Sequence, residues 1–262
     1  MGKLVSQMQY AHIMQTIDLV KTFGKQIAVN QVSLNIPTGG FVSIIGPNGA
    51  GKTTLFNLIT GAIKPDRGTI FFKGRDITKV KEYKRVLMGM SRCFQITNVF
   101  PNVSVLENVR LAVQAKSPYK YNFFRKFEKY SELTDYAHYC LEMVQMSHLK
   151  DNMAQSLTHP DQRKLEIAIQ LASRGDLMLL DEPTAGISAE EVPMIVEVIK
   201  GIRKKEQKTI IMVEHKLGMV LDMSDYIVVL NYGSLIAEGT PKEIKNNQDV
   251  QNAYLGKKEV VS

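Results

Sequence analysis

The 262-residue sequence contains no tryptophan, few cysteines and no long apolar run. Its two cysteines, Cys93 and Cys140, exclude a disulfide framework and a cysteine-based metal cluster. No segment approaches the roughly 18 uncharged apolar residues that a membrane-spanning helix needs. Residues 1–14 mix Lys3 and His12 with apolar side chains, unlike the core of a signal peptide. We therefore expect a soluble, cytoplasmic protein, and the 44% hydrophobic content suffices for a large core.

Positive charge is in modest excess and is not concentrated in one place. The 33 Lys and Arg residues exceed the 26 Asp and Glu residues, which leaves a net charge of +7. The densest basic segments, residues 79–85, 116–129 and 203–208, are interrupted by acidic, aromatic or apolar side chains. We interpret them as solvated helix faces, with a membrane-proximal surface as the second choice and nucleic-acid binding as the third. The aromatic and basic segment 116–132 either docks a partner or covers the core, and both interpretations stay open.

The order of apolar patterns predicts an α/β protein with a parallel sheet at its core. Residues 12–36 alternate as antiparallel strands do. Further along, short strands such as residues 90–95 alternate with helical patterns, which is typical of a parallel sheet. The helical patterns cover residues 80–88 and 103–173, and the second range includes a clear helix at 162–172. We expect a single domain over residues 1–262, with an N-terminal antiparallel β subdomain and a helical subdomain inserted at about residues 96–173.

A phosphate-binding loop lies between a predicted strand and a predicted helix. The apolar run 41–45 precedes it and the helical pattern 53–60 follows it, as the motif G-x-x-x-x-G-K-[ST] requires. The motif residues are Gly46, Pro47, Asn48, Gly49, Ala50, Gly51, Lys52, Thr53 and Thr54. Backbone N–H groups of such a loop and the positive end of the helix cradle a polyphosphate. We expect a phosphate-loop NTPase in which Lys52 reaches the outer phosphates and Thr53 holds a magnesium ion.

Two adjacent acids follow another apolar run. Residues 177–180 are all apolar and lead directly to Asp181, Glu182 and Pro183. In phosphate-loop enzymes an aspartate at the end of such a strand holds magnesium. A second carboxylate beside it, here Glu182, is able to orient and polarise a water molecule. The pair therefore predicts hydrolysis rather than transfer of phosphate to a second substrate.

Three more side chains are expected near the nucleotide. His215 follows the apolar strand 209–213, and ligands of parallel sheets bind at the carboxyl ends of the strands. It is thus a candidate contact for the γ-phosphate or the attacking water. Gln95, at another predicted strand end, is a candidate contact for the metal or the water by the same argument. Phe23 lies in the first turn, where an aromatic ring either stacks on a base or packs on the sheet.

Together these motifs resemble the ATP-binding cassette of ABC transporters, over almost the whole chain. Within that family the sequence is similar to cassettes of branched-chain amino acid importers. The similar segments are RCFQ (92–95), FPNVSVLENV (100–109), DEPTAGISAEE (181–191) and AYLG (253–256). The resemblance implies a RecA-like catalytic core, ATP hydrolysis coupled to transport, and a peripheral position on the cytoplasmic face of the cell membrane.

The resemblance also implies how the nucleotide and its metal are bound. Lys52 contacts the β- and γ-phosphates of ATP, and Phe23 stacks on the adenine. Mg²⁺ is organised by Thr53, Asp181 and Gln95.

Hydrolysis and partners follow from the same resemblance. Glu182 acts as the general base, and His215 senses the γ-phosphate. Two cassettes close head to tail, and each phosphate loop faces the signature motif of the other cassette. Integral membrane permease subunits dock around Gln95 and the helices after it. A substrate-binding protein takes part indirectly, and nucleic acid is not a partner.

The signature motif departs from the usual family pattern Leu-Ser-Gly-Gly-Gln. It reads Leu157-Thr158-His159-Pro160-Asp161. Thr158 keeps a hydroxyl, and His159 and Asp161 resemble variants of the importer subfamily. Pro160 replaces a glycine whose N–H helps to bind the γ-phosphate in the family. Because proline has no N–H, a charge-assisted bond of about 1.5–3 kcal/mol is lost. We expect this signature to build a weakened site, and we expect the partner cassette to be a paralogue with an intact signature.

Two other kinds of cassette are alternatives to an importer subunit. One is a soluble, non-transport ABC ATPase that remodels a complex, although such proteins often carry coiled-coil insertions or two fused cassettes. The other is the cassette of an exporter, such as one for lipopolysaccharide. The transported substrate is not encoded in this chain, since cargo specificity lies in the membrane and binding-protein subunits.

Overall fold

The chain forms two compact units in the computed structural model. The described residues are 11–92, 99–115 and 128–255. Unit 1 consists of residues 1–85 and 209–262, and unit 2 consists of residues 86–208. No helix in the described part of the chain is long and apolar enough to cross a lipid bilayer.

Strands and helices alternate along most of the chain. In chain order they are β1 (His12–Phe23), β2 (Gln26–Pro37), β3 (Phe41–Ile45), α1 (Lys52–Thr60), β4 (Arg67–Phe72), β5 (Arg75–Asp76), α2 (Glu82–Met88), β6 (Met90–Arg92), α3 (Val105–Ala115), α4 (Glu128–Met143), α5 (His159–Ala172), β7 (Leu177–Asp181), α6 (Val192–Glu206), β8 (Thr209–Val213), α7 (Leu217–Met223), β9 (Tyr226–Asn231), β10 (Ser234–Gly239), α8 (Pro241–Lys245) and α9 (Gln248–Leu255). Two short 3₁₀ turns separate α4 from α5.

Unit 1 contains an antiparallel sheet and a mostly parallel group of strands. The antiparallel sheet has the order β2-β1-β4-β5, which confirms the predicted N-terminal β subdomain. In the second group β3 lies between β8 and β9 and runs parallel to both, while β10 pairs antiparallel with β9. All five residues of β3 are buried, as expected for a strand with parallel neighbours on both sides.

A buried arginine, Arg85, caps the carboxyl-terminal end of α1. The guanidinium of Arg85 donates hydrogen bonds to Leu58 O and Ile59 O in the last turn of α1, at 2.8 and 2.7 Å. It also donates to the carbonyls of Ile77 and Val80. A positive charge at the carboxyl end of a helix is favourable, and the carbonyls there lack partners within the helix. Burial lowers the pKa of Arg85 to about 10, which still keeps it charged at neutral pH.

Unit 2 combines two parallel strands with a cluster of helices. β6 and β7 pair in parallel, and α3, α4 and α5 pack against one another. The side-chain amide of Gln170 on α5 donates to Ser91 O and Leu179 O, both at 2.8 Å, and so ties the helix to both strands. The helical character predicted for residues 103–173 is confirmed over the described residues.

Several predicted boundaries differ from the structure. α5 begins at His159 rather than Gln162, because Thr158 caps it one turn earlier. α2 begins at Glu82 rather than Val80. β6 was predicted as Met90–Gln95, and its last three residues lie outside the described part of the chain. Three short helices after β8 were not predicted at all; these are α7, α8 and α9.

Candidate functional site

The phosphate loop of unit 1 needs glycine at two points of close backbone contact. Gly46 has a φ of 153°, and a Cβ added there would collide with Leu230 O. Gly51 has a φ of 97°, and its added Cβ would collide with Ala28 O. Both positions also have backbone conformations that L side chains rarely adopt. The loop therefore keeps its curled path only with glycine at these two positions.

Lys52 lies inside the curl of the loop. Its ammonium group donates hydrogen bonds to Gly46 O at 2.7 Å and to Pro47 O at 3.0 Å. Lys52 is buried, whereas Thr53, the next residue of α1, is exposed. The Lys52 ammonium thus adds a positive charge at the start of a helix. The backbone N–H groups and the helix dipole favour a bound anion at the same place.

Phe23 and the phosphate loop line the same cavity. This cavity of about 280 Å³ is formed by Phe23, Gln26, Ala28 and residues 49–54. The ring of Phe23 is 52% exposed at the end of β1, with the Lys21 ammonium 5.6 Å from its centroid. The structure therefore brings together an exposed aromatic face and the predicted phosphate-binding backbone, while the stacking role of Phe23 stays a prediction.

His215 lies at the same sheet edge as the phosphate loop. β8 and β3 are parallel, with Ile44 opposite Val213. The segments that follow these two strands therefore leave the sheet at the same edge. The side chain of His215 is 49% exposed. Its role toward the γ-phosphate stays a prediction.

The turn at His215 is fixed by Glu214, a residue that sequence reasoning missed. Glu214 is fully buried, and its Oε2 accepts hydrogen bonds from the backbone N–H groups of His215 and Lys216 at 2.9 and 3.4 Å. The same oxygen lies 3.7 Å from His215 Nδ1. The available signal in the sequence was an acid that directly follows an apolar strand.

In unit 2 the two acids lie at the end of a fully buried strand, as predicted. All five residues of β7 are buried, and Asp181 is its last residue. Glu182 has a φ of 44°, a left-handed backbone conformation that is uncommon for a residue other than glycine. The chain then turns, and Ala185 N donates to Glu182 O at 3.0 Å. The end of the strand thus carries the buried carboxylate of Asp181, and the sharp turn after it carries the carboxylate of Glu182.

Arg163 on α5 holds that turn, and sequence reasoning missed it. Its guanidinium donates to Asp181 O and Glu182 O, both at 2.8 Å, and to Pro183 O at 3.0 Å. It also pairs with Glu166 Oε2 at 2.6 Å. No local pattern signals this arrangement, because it depends on how α5 packs against the end of β7.

The signature residues occupy the first turn of α5. Thr158 is the N-cap, and its hydroxyl donates to Asp161 Oδ2 at 2.7 Å and accepts from Asp161 N at 3.4 Å. Pro160 is buried at the second position of the helix and supplies no N–H. His159 lies against Gly186, where an added Cβ would come within 3.0 Å of the imidazole Cε1. The predicted weakness of this signature stays a prediction.

The signature turn and the two acids of unit 2 border one small cavity. Its volume is about 180 Å³, and it is lined by His159, Gln162, Arg163, Glu166, Asp181, Glu182 and Ala185. The first turn of α5 and the end of β7 are therefore neighbours within unit 2.

The predicted magnesium ligands have suitable chemistry. The hydroxyl of Thr53 and the buried carboxylate of Asp181 are hard oxygen donors, which Mg²⁺ prefers. No group of three His, Cys, Asp or Glu residues able to hold a metal occurs in the described ranges. A nucleotide site does not need such a group, because substrate phosphates complete the coordination. Gln95, the third predicted ligand and a predicted catalytic residue, lies outside the described residues.

Two family models match the chain. Residues 29–185 match the ABC transporter model. Residues 234–260 match the model of the branched-chain amino acid ATP-binding cassette transporter.

Named relatives match over nearly their full length. LivG of Salmonella typhimurium, described as a high-affinity branched-chain amino acid transport ATP-binding protein, is 39% identical, covering 91% of this chain and 95% of that protein. BraF of Pseudomonas aeruginosa, described in the same words, is 36% identical, covering 93% and 98%. The lipopolysaccharide export system ATP-binding protein LptB of Haemophilus influenzae is 31% identical, covering 93% and 97%.

Solved structures of similar fold are also cassettes. A nucleotide-free ATP-binding cassette from an ABC transporter has a TM-score of 0.79 and 32% identity, covering 93% of this chain and 98% of that one. The ADP conformation of another such cassette has a TM-score of 0.81 and 30% identity, covering 94% and 100%. The predicted phosphate-loop NTPase fold is confirmed by these neighbours.

Proposed function

Since the chain belongs to the ATP-binding cassettes of ABC transporters, we propose that it powers an importer of branched-chain or related amino acids. A cassette of this family binds and hydrolyses ATP for a transporter. The importer assignment rests on the match of residues 234–260 to the branched-chain model and on the similarity to LivG and BraF over almost the whole chain.

The observation that best supports the nucleotide site is the cavity that Phe23 shares with the phosphate loop. ATP would place its adenine against the exposed ring of Phe23 and its phosphates in the curl around Lys52. The Lys52 ammonium donates hydrogen bonds to Gly46 O and Pro47 O in this structure. With ATP bound it would turn toward the β- and γ-phosphates. The backbone N–H groups at the start of α1 would add hydrogen bonds to the same phosphates.

Magnesium is part of the proposal, with Thr53, Asp181 and Gln95 as its ligands. When bound, Mg²⁺ neutralises charge on the phosphate oxygens. Thr53 would offer its hydroxyl from the first turn of α1, and Asp181 its carboxylate from the end of β7.

Glu182 is the proposed general base. Its carboxylate would accept a proton from the water that attacks the γ-phosphate, and the left-handed backbone at Glu182 would help to aim it. His215 would contact the γ-phosphate from the end of β8, on the turn fixed by Glu214. Thr158, His159 and Asp161 would serve the nucleotide of a second cassette.

The proposed assembly contains two cassettes and integral membrane subunits. A head-to-tail pair would place each phosphate loop opposite the signature of the other chain. Pro160 favours a paralogue with an intact glycine signature as the second cassette. Docking on permease subunits would hold this chain at the cytoplasmic face of the membrane, and a substrate-binding protein would deliver the amino acid.

Copurification and hydrolysis test the proposal together. Affinity-tagged chain is expected to bring down integral membrane subunits from detergent extracts. Glu182→Gln is expected to lower ATP hydrolysis by about 10²-fold or more, the scale of general-base catalysis. Glu197→Gln, an exposed position on α6, is the matched control and should leave the rate unchanged. Tagged chain without membrane subunits would support the soluble alternative.

Export is the second candidate, because LptB is also similar over most of the chain. An exporter cassette would hydrolyse ATP and copurify with membrane subunits as well. Loss of amino acid uptake on Glu182→Gln would exclude it, whereas unchanged uptake together with a defect in the outer envelope would favour it.

A further inference from the structure

We propose that Arg163 is a positioning residue that holds the Glu182 backbone in its left-handed conformation. The inference rests on the proposed role of Glu182 as the general base. Arg163 lies on α5, while Glu182 follows β7, so that the contact is made between two separate elements of unit 2.

One guanidinium binds three consecutive carbonyl groups. Nη2 donates to Asp181 O and Glu182 O, each at 2.8 Å, and Nε donates to Pro183 O at 3.0 Å. Consecutive carbonyls in an extended strand point alternately to opposite sides, so they do not normally converge on one donor group. The φ of 44° at Glu182 produces the sharp turn that turns them toward Arg163. The conformation of Glu182 and the contacts of Arg163 therefore depend on each other.

The guanidinium is itself fixed on its other side. Nη1 donates to Glu166 Oε2 at 2.6 Å, one helical turn further along α5. The side chains of Arg163 and Glu166 are only 14% and 8% exposed, so water competes little for this ion pair. A donor that is held in place constrains the carbonyls it binds, and here it constrains the residue that carries the proposed base.

The geometry requires arginine rather than a positive charge alone. The guanidinium is planar and has five N–H donors in fixed directions, whereas the lysine ammonium has three donors around one point. Lysine at position 163 would keep the charge near Glu166 and lose most of the carbonyl contacts. Arg163→Lys is therefore the informative substitution, because it separates the shape of the group from its charge.

The experiment measures ATP hydrolysis and ATP binding for Arg163→Lys. Because the phosphate loop and Phe23 belong to unit 1, we expect KM for ATP to change by less than about twofold. The kcat is expected to fall about tenfold or more, since small misplacement of a catalytic group costs rate on the scale of 10²-fold. Arg174→Lys is the matched control, because Arg174 lies just beyond the other end of α5 and contacts a ring, with its guanidinium carbon 3.9 Å from the Tyr136 centroid.

A merely structural role would give a different pattern. It would lower the thermal stability of Arg163→Lys and reduce the kcat only in proportion to the fraction unfolded. Thermal unfolding by circular dichroism is therefore recorded for each variant, and rates are compared at a temperature where all are folded. Glu166→Gln provides a second variant that keeps the guanidinium and removes its ionic anchor; we expect a smaller fall in kcat, again with little change in KM.

The outcomes distinguish this inference from the proposed function. If Glu182→Gln hydrolyses ATP at the parent rate, the role of Glu182 as base is wrong and the inference fails with it. If Glu182→Gln is inactive while folded Arg163→Lys and Glu166→Gln keep the parent kcat, only the positioning role of Arg163 is overturned. A fall in kcat at constant KM for Arg163→Lys, absent from Arg174→Lys, supports it.

Discussion

At the scale of single residues, Arg85 shows how a buried charge stabilises the element behind the phosphate loop. Its guanidinium binds carbonyls of α1 and of the segment 77–80, and it is only 1% exposed. Gly61 makes room for it, because a Cβ at Gly61 would lie 2.7 Å from Arg85 Nε. Replacing either residue disturbs the end of the helix that begins at Lys52.

Arg85→Met is expected to lower the free energy of unfolding by about 3 kcal/mol or more. The substitution leaves several buried carbonyls without their charged donor, and each unsatisfied group costs about 1–3 kcal/mol. Urea unfolding followed by circular dichroism measures the loss. Arg75→Met, at an exposed position, is the control and is expected to change stability by less than about 0.5 kcal/mol. Coincident unfolding curves for Arg85→Met and the parent protein would contradict this account.

Asp66 secures the end of β1 that carries Phe23. Its carboxylate accepts hydrogen bonds from Lys21 Nζ at 2.8 Å and from the backbone and hydroxyl of Thr22, both at 2.7 Å. Lys21 in turn lies over the ring of Phe23. These donors, above all Lys21, lower the pKa of Asp66 from 3.8 to about 2.

The stabilising effect of Asp66 is expected to depend on pH. Because its pKa is lower in the folded chain, its contribution is present above about pH 4 and is lost as the pH falls through about 2. Asp66→Asn should therefore lower the Tm near neutral pH, and the difference from the parent should shrink toward acid. Scanning calorimetry across this range measures it, with the exposed Asp151→Asn as a control for charge. A difference that stays constant with pH would count against the proposed contacts.

At the scale of elements, the first turn of α5 is poor in backbone donors. Pro160 has no N–H, and the N–H of Asp161 already points to the Thr158 hydroxyl. The Asp161 carboxylate also lies in this first turn, where its negative charge already interacts favourably with the helix dipole. Both features agree with a signature that binds a phosphate weakly.

Pro160→Gly is expected to raise the rate of ATP hydrolysis by the purified homodimer about tenfold or more. The restored N–H would supply a charge-assisted bond of about 1.5–3 kcal/mol, and about 1.4 kcal/mol corresponds to a factor of ten. Pro193→Gly is the matched control, because Pro193 occupies the second position of α6 as Pro160 does in α5. Equal rates for the parent and Pro160→Gly would show that the proline does not limit this site.

Elements could be predicted from the sequence where several neighbouring features, such as a motif and its flanking segments, indicate the same structure. The strand, glycine loop and helix around Lys52 were recognisable because the motif and both flanks agree, and β7 because four apolar residues lead to two acids. α8 was missed although Thr240 and Glu243 form a capping box, which is a readable signal at a helix start. α7 and α9 have seven and eight residues, too few for a clear helical period.

Contacts between distant segments could not be predicted in the same way. Arg163 reaches carbonyls 18 to 20 positions away because α5 packs beside β7. This contact leaves no pattern in the sequence, since every residue has a backbone carbonyl and the accepting positions need no particular residue type. Glu214 was signalled only as an acid after an apolar strand, and its burial depends on the pairing of β8 with β3. The candidate site was thus predicted in its motif residues and not in the residues that position them.

At the scale of the whole molecule, the two units carry different parts of the proposed task. Unit 1 contains the phosphate loop, Phe23 and His215, whereas unit 2 contains the two acids, the signature and Arg163. The segment 234–260, which matches the branched-chain model, belongs to unit 1. We therefore expect substitutions of Phe23 and Lys52 mainly to change ATP binding, and substitutions of Glu182 and Arg163 mainly to change turnover.

Transport by a reconstituted complex tests the central claim most directly. The complex copurified with this chain is placed in liposomes together with its substrate-binding protein, and uptake of radiolabelled leucine, isoleucine and valine is measured with ATP. We predict ATP-dependent uptake of at least one of these amino acids, lost with Glu182→Gln and kept with Glu197→Gln. Failure of the parent complex to take up any of the three amino acids would contradict the account. Uptake by the Glu182→Gln complex at the parent rate would contradict it as well.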